Sequence, residues 1–209
     1  WVRTRKSVRY EFLHKYGKNR VFTKKEADLF FNYNSQISLE LIMKNGLATR
    51  VRRGLYYIFN WGEKTIEQHR DFFVPYLGNF VVGYWSALKE DTQDIYLLST
   101  RKQKVDSEVI NGINHHFIQV SANYVKKTYE KNGVKYLNKD VALIHCILEP
   151  QFTPGEKVLE EYIINEVDID ALLQSPELLK GNFSKQVKKQ VTDYLLKLKE
   201  LKAKRDTEN

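Results

Sequence analysis

The chain has 209 residues, of which 42% are hydrophobic and 29% charged, and its net charge is +8. This composition is ordinary for a folded protein, and the length allows one large domain or two small ones. The lone cysteine, Cys146, excludes an internal disulfide and a cysteine-based zinc site. Because no apolar run approaches the ~20 residues of a membrane span and no signal peptide is recognisable, we expect a cytoplasmic protein with no membrane partner.

The basic excess favours an anionic partner, and nucleic acid is the usual one. A lysine-rich surface without a ligand is the alternative. The placement of the charges favours nucleic acid, because they cluster at the chain start, at the start of a predicted helix and in a predicted hairpin. These clusters are Arg3, Arg5, Lys6 and Arg9, then Lys24 and Lys25, then Arg50, Arg52 and Arg53.

Three short helices are predicted in the first part of the chain. Residues 7–16 have a helical apolar pattern that ends at Gly17. The spacing of Thr23 and Glu26 predicts a capping box at the start of the second helix. Ser35 is the expected N-cap of the third helix, which ends near Gly46. The core stripe of this third helix is expected to be Leu39, Ile42 and Met43.

The third helix is the candidate reader of DNA bases. Gln36, Glu40 and Lys44 recur at helical spacing and form a polar strip along it. Glu40 would repel phosphates, and the apolar residues Ile37 and Leu41 flank the strip. Two interpretations therefore stay open: the helix contacts bases, or it packs partly against the second domain.

A β-hairpin with a basic tip follows the third helix. Alternation over residues 47–52 predicts a strand with Leu47, Thr49 and Val51 on one face and Ala48, Arg50 and Arg52 on the other. Arg53 and Gly54 form the turn, since Gly54 accepts a positive φ, and Leu55, Tyr57 and Phe59 return on the core side. Arginines near such a tip are suited to phosphate or minor-groove contacts.

The order of helices, turn and hairpin is typical of a winged helix-turn-helix, here over residues 1–62. We expect this domain to bind double-stranded DNA. The candidate DNA-binding residues are Lys24, Lys25, Gln36, Ser38, Lys44, Arg50, Arg52 and Arg53.

Residues 63–209 are predicted to form a mixed α/β domain with a C-terminal helical tail, so the chain is of the α+β class. An Asn132-Gly133 turn predicts a hairpin, and Val187, Val191, Leu195 and Leu198 form the apolar stripe of a long last helix. No glycine-rich phosphate loop occurs.

Catalytic chemistry has little support in this second domain. His115 and His116 are neighbours on a predicted strand, so they point to opposite faces and cannot chelate one metal together. His145 is a single histidine in a predicted helix, so a core or surface role is favoured over metal ligation. Cys146 lies in the same apolar helix and is interpreted as a core residue. The nearest approximation to a metal-nuclease motif lacks its second acid; it consists of Asp91, Asp94 and Lys102 or Lys104. We therefore expect no catalytic residue, no metal and no cofactor.

Several motifs resemble one protein family. Thr23-Lys-Lys-Glu-Ala27, Leu41-Ile-Met-Lys-Asn-Gly-Leu47 and Arg50-Val-Arg-Arg-Gly-Leu-Tyr56 resemble the N-terminal winged helix of AbiEi-type antitoxins. The segments 83–88, 95–100 and 138–150 are similar to the antitoxin core. The similarity spans about residues 20–165, with the motifs in the expected order.

The resemblance implies a function. AbiEi-like proteins are the antitoxin partners of AbiEii-type nucleotidyltransferase toxins; they bind inverted repeats upstream of their operon and repress it. Their C-terminal domain counters the toxin, often without a stable complex. The DNA-binding basic residues of the family correspond only to Arg50, Arg52 and Arg53 in this sequence.

The sequence therefore predicts a DNA-binding transcriptional repressor that is not an enzyme, and the resemblance predicts an antitoxin. Its expected partners are an inverted-repeat DNA operator, a nucleotidyltransferase toxin and a second copy of the chain in a homodimer. The alternatives are a lone regulator without a toxin, a nuclease or nucleotidyl-modifying enzyme tethered to DNA by the winged helix, and a winged helix that binds protein.

Overall fold

The computed structural model describes residues 5–17, 21–32, 35–59, 73–89, 92–110, 113–181 and 183–208. The chain is a mixed α+β protein with a helical C-terminal tail, as predicted. It divides into two compact units: residues 1–78 with 109–113, and residues 79–108 with 114–209. The domain boundary predicted at residue 62 lies in residues 60–72, outside the described ranges.

The first unit combines short helices with one small sheet. In chain order its elements are α1 (Arg5–Gly17), β1 (Val21–Thr23), α2 (Lys24–Phe30), α3 (Gln36–Lys44), β2 (Ala48–Arg52), β3 (Leu55–Ile58) and α4 (Val74–Leu77). The strands pair antiparallel in the order β1-β3-β2, so β3 is central.

Strand β3 is buried on both faces, and this organises the core of the first unit. Tyr56 and Ile58 join the cluster that α1, α2 and α3 form around Phe12. Leu55 and Tyr57 belong to a separate cluster on the other face, together with Val21, Phe73 and the partly buried Val51. The predicted stripe of α3 is confirmed, because Leu39 and Ile42 are buried and Met43 packs against them.

The residues at the starts of α2 and α3 differ in how their side chains bond. The capping box is present: Thr23 Oγ1 accepts from the Glu26 amide at 3.2 Å, and Glu26 Oε2 accepts from the Thr23 amide at 2.6 Å. Ser35 occupies the N-cap position of α3, but its side chain makes no capping bond. Its hydroxyl donates to the Asp28 carboxylate instead. The predicted N-cap position of Ser35 is therefore confirmed, although its side chain bonds α2 and not a free amide of α3.

The β2–β3 hairpin corrects the predicted placement of its arginines. Arg50 lies opposite Tyr56 and Arg52 opposite Leu55, so the register shifts by one residue between the two arginines. An extra residue in one strand places two of its positions opposite one position of the partner. Arg50 is therefore on the Tyr56 side of the sheet and Arg52 on the Leu55 side, whereas strict alternation predicted one face for both.

The second unit contains a mixed sheet and the remaining helices. In chain order the elements after α4 are β4 (Val81–Gly83), α5 (Tyr84–Leu88), β5 (Asp94–Ser99), β6 (Ser107–Ile110), β7 (Ile113–Gln119), β8 (Thr128–Lys131), β9 (Val134–Leu137), α6 (Lys139–Leu148), α7 (Glu156–Glu166), α8 (Ile169–Leu173), α9 (Pro176–Lys180) and α10 (Lys185–Glu208). They belong to the second unit except where β6 and β7 include residues 109, 110 and 113. The strand order is β6-β7-β5-β4-β9-β8. Strand β4 pairs parallel with β9 and antiparallel with β5, and β5 pairs parallel with β7.

One continuous apolar cluster holds the second unit together. Helix α6 is buried along residues 141–147 and shares this cluster with α5, α7, α8, α9 and α10. Three of the four residues predicted as the apolar stripe of α10 are fully buried, which confirms that part of the stripe: Val191, Leu195 and Leu198. The predicted turn at Asn132 and Gly133 is also confirmed, since both residues have a positive φ. None of the helices in the described ranges is long and apolar enough to cross a membrane.

Candidate nucleic-acid interface

A groove of about 400 Å³ lies between α3 and the β2–β3 hairpin. Its apolar lining comes from Leu39, Met43 and Tyr56. Its polar and charged lining comes from Lys24, Gln36, Glu40, Arg50 and Arg53. The fold thus brings together four of the predicted DNA-binding residues, one from α2, one from α3 and two from the hairpin.

Arg50 and Arg53 supply the positive charge of this groove. Both side chains are exposed, and within the described residues Arg50 Nε makes only a long hydrogen bond of 3.4 Å to the Arg52 carbonyl. The turn that presents Arg53 depends on Gly54, whose φ of 79° lies in the left-handed region. The two guanidinium groups are therefore available to an anion that enters the groove.

Lys24 lines the same groove, but its charge is compensated within the protein. Its ammonium group bonds the Asp28 carboxylate and donates to Ser35 Oγ at 2.9 Å. The hydrogen bonds from Lys24 and Ser35 hold the pKa of Asp28 below its usual value. Because Asp28 lies on α2 and Ser35 starts α3, this triad links the two helices.

Arg52 points away from the groove. Its Nη2 donates to the backbone carbonyl of Tyr76 in α4 at 3.4 Å, and its side chain is half-buried. The register shift places it on the sheet face opposite Arg50. The structure therefore divides the predicted cluster of three arginines into a groove pair and one arginine on the other face.

Helix α3 presents a mixed exposed surface. Gln36 and Glu40 are exposed, and Gln36 Nε2 donates to Glu40 Oε1 at 3.1 Å. Ile37 is 59% exposed beside them, so an apolar residue lies on the outer surface of α3. Of the other candidates, Lys25 and Lys44 are exposed and Ser38 is half-buried, and these three do not line the groove.

The two units differ completely in net charge. Residues 1–78 contain 15 lysines and arginines against 7 aspartates and glutamates, and residues 109–113 contain none of either. The rest of the chain contains 19 of each. The whole net charge of +8 therefore belongs to the first unit, which is the unit that contains the groove.

Two of the groups considered for catalysis in the second unit are buried, and two others pair with each other. His115 is buried, whereas the neighbouring His116 Nε2 lies 2.7 Å from Asp94 Oδ1. Cys146 is fully buried, and burial raises the pKa of its thiol. Within the described part of the chain, no cluster of three His, Cys, Asp or Glu residues could hold a metal. Asp91 lies outside the described residues.

Sequence reasoning missed one polar cluster in the second unit. The Tyr84 hydroxyl donates to Glu149 Oε2 at 2.6 Å, and the backbone of Tyr84 has an unusual φ of 47°. The buried His145 stacks on Tyr124, with ring centroids 4.2 Å apart. These residues come from distant segments, so no local motif could have connected them.

A scan against protein-family models finds no match to this chain, and a search of curated proteins finds none. The AbiEi resemblance therefore depends on the quoted motifs alone. It stays a prediction, as does the function that it implies.

Proposed function

We propose that the first unit is a winged-helix domain and that the protein is a DNA-binding transcriptional repressor. The connectivity supports this proposal. A strand precedes the second of three helices, a hairpin follows the third helix, and the three strands form one sheet with β3 in the centre. In a winged helix this arrangement places the third helix beside the hairpin, so that both can approach one duplex.

The groove between α3 and the hairpin carries the proposal. Arg50 and Arg53 would hold a phosphate strand, because guanidinium groups bind phosphate oxygens in a fork geometry. Gln36, at the exposed start of α3, would read a base edge, since glutamine pairs with adenine in the major groove. The neighbouring exposed Ile37 would contact a thymine methyl group.

The charge distribution supports the same assignment. The first unit carries the full net charge of +8, and the second unit is neutral overall. Binding to a polyanion releases counterions, so a domain with this charge gains affinity for any duplex at low salt. The groove would then add orientation and sequence preference to this general attraction.

We further propose, from the family resemblance, that the protein is an antitoxin. Its first unit would bind an inverted repeat upstream of its own operon, which requires two copies of the chain because half-sites mirror two-fold symmetry. Its second unit would counter a nucleotidyltransferase toxin in the cytoplasm. Co-expression with the adjacent gene tests this role: the neighbouring product should arrest growth, and this chain should restore it.

The DNA-binding proposal is tested by fluorescence anisotropy with a duplex from upstream of the gene and a shuffled duplex. Arg50→Gln with Arg53→Gln should lower affinity for both duplexes about tenfold or more. It should also reduce the slope of log affinity against log salt by about two units. Gln36→Ala should weaken the upstream duplex more than the shuffled one.

Lys197→Gln with Lys204→Gln on α10 provides the matched control, because it removes the same charge from exposed positions of the second unit. This control should leave the salt slope unchanged. An unchanged slope in the Arg50 and Arg53 variant would show that the groove does not hold the phosphate backbone.

A further inference from the structure

We propose that the second unit binds a small anionic ligand that carries a flat ring, namely a nucleoside monophosphate, in a cavity beside His145. The cavity has a volume of about 480 Å³, within the range of small-molecule sites. Its walls come from the segment between β7 and β8, from α6, and from the chain between α9 and α10. This proposal is independent of the DNA-binding function of the first unit.

His145 is the first observation that points to a ligand. It lines the cavity with only 1% of its surface exposed, and no described residue bonds its Nδ1 atom. Burial lowers the pKa of His145 to about 4, so the ring is neutral near pH 7. A buried polar atom without a partner is costly, and a polar ligand group in the cavity would satisfy it.

Aromatic rings beside His145 would stack with the planar ring of the proposed ligand. Tyr124 stacks on His145 with an interplanar angle of 30°. The Phe183 ring contacts the imidazole edge to face, with ring centroids 5.9 Å apart. Tyr124 and Phe183 both line the cavity and are only half-buried. Their accessible surfaces can therefore stack with a planar ring, and such stacking suits a nucleobase.

Lysines at the cavity would bind the anionic group of the proposed ligand. Lys126, Lys127 and Lys180 line it against a single acid, Glu177, which pairs with Lys127. Lys126 and Lys180 are exposed, and neither has an ion-pair partner among the described residues. Because the second unit is neutral overall, this local excess of two positive charges is a feature of the cavity. It fits a phosphate group.

Isothermal titration calorimetry of the full chain tests the proposal with AMP, GMP, CMP and UMP. We expect at least one of them to bind with a dissociation constant below about 1 mM. The matching nucleoside alone and inorganic phosphate alone should each bind about tenfold more weakly, because each supplies only half of the recognised chemistry. Failure of all four nucleotides to bind at this level would overturn the proposal.

Charge variants locate the site. Lys126→Gln with Lys180→Gln should weaken nucleotide binding about tenfold, whereas the exposed α10 pair Lys189→Gln with Lys197→Gln should not. Arg50→Gln with Arg53→Gln should leave nucleotide binding intact, which separates this site from the DNA groove. Equal binding by wild type and the Lys126 and Lys180 variant would refute the site.

An NMR measurement adds a readout at the cavity itself. The ring nitrogens of His145 should shift when the nucleotide saturates the wild-type protein, because Nδ1 gains a hydrogen-bond partner. The shift should be clearly smaller at the same nucleotide concentration in the Lys126 and Lys180 variant, because its binding is about tenfold weaker. Nucleotide binding without any change at His145 would also overturn the proposal.

Discussion

The two units of this chain distribute charge and apolar surface in opposite ways. The first unit carries the whole net charge and opens a groove lined by Arg50 and Arg53. The second unit has balanced charges and one large apolar cluster that draws on six of its helices and its sheet. The contrast fits the proposed function, because long-range attraction to a polyanion needs excess charge whereas a stable scaffold needs buried apolar area.

The largest predicted effect tests whether the two units are stable separately. The Phe12 ring contacts the rings of Tyr16, Phe22, Phe30 and Phe31 with centroids 4.7 to 5.2 Å apart. Phe12→Ala should lower the free energy of unfolding of the first unit by about 3–5 kcal/mol. Hydrogen exchange should show lost protection in α1 to β3, and DNA binding should fall with it.

Leu195→Ala is the converse variant, because Leu195 is fully buried in the cluster of the second unit. It should cost about 2–5 kcal/mol there and leave DNA affinity unchanged. If either variant removed protection equally from both units, the two units would unfold together and the contrast between them would not extend to stability.

A somewhat smaller effect, the loss of stability at low pH caused by His145, is predicted for the second unit. The pKa of His145 is lowered from its ordinary 6.5 to about 4, so the unfolded chain takes up this proton more readily than the folded one. The contribution of the neutral His145 ring to the free energy of unfolding should therefore be fully present above about pH 6.5. It should be lost as the pH falls towards 4, by about 3 kcal/mol in total. Urea unfolding followed in the second unit between pH 4 and 7 measures this loss.

His145→Phe is the matched variant for the pH effect, since it keeps an aromatic ring beside Tyr124 and Phe183 and removes the titrating group. The variant should show a flatter dependence of stability on pH over this window. A wild-type curve that is already flat from pH 4 to 7 would contradict the burial of a neutral imidazole.

The arginines on the two faces of the hairpin should differ in their effect on DNA binding. Arg53→Gln should reduce the salt slope of DNA binding by about one unit, because Arg53 lines the groove. Arg52→Gln should change it much less, because Arg52 lies on the other sheet face and bonds the Tyr76 carbonyl. Equal effects of the two variants would show that the register shift does not divide the arginines in function.

The smallest predicted effect concerns Asp28. Its pKa is lowered by hydrogen bonds from Lys24 and Ser35, so this carboxylate contributes stability above its unfolded pKa that is lost as the pH falls through the folded value. Asp28→Asn should remove that acid-side loss from the first unit. It should also raise DNA affinity slightly, since Lys24 loses its counter-charge. Anisotropy titrations of the variant and wild type at pH 7 measure the second effect.

Features encoded by a few neighbouring residues could be predicted from the sequence. The capping box of Thr23 and Glu26 needs only a spacing of three residues, and the Asn132-Gly133 turn needs only two adjacent residues that tolerate positive φ. The stripes of α3 and α10 follow the helical period. Each of these signals is local, so tertiary packing had little opportunity to override it.

Features set by long-range packing could not be predicted. The register shift between Arg50 and Arg52 depends on how β2 aligns with a partner strand, and strict alternation gives no sign of it. The bond from Ser35 to Asp28 competes with capping only because α2 and α3 come together. The cavity at His145 joins segments about 60 residues apart, so its parts carry no common motif.

The buried central strand β3 has a consequence for the energetics of docking. Its four residues are buried between two apolar clusters, so the hairpin backbone is already ordered and would lose little conformational entropy when a ligand binds. Binding of a DNA duplex would then mainly restrict the side-chain rotamers of Arg50 and Arg53. A pre-organised backbone of this kind lowers the entropic cost of complex formation, and it should keep backbone amide order parameters at β2 and β3 almost identical with and without DNA.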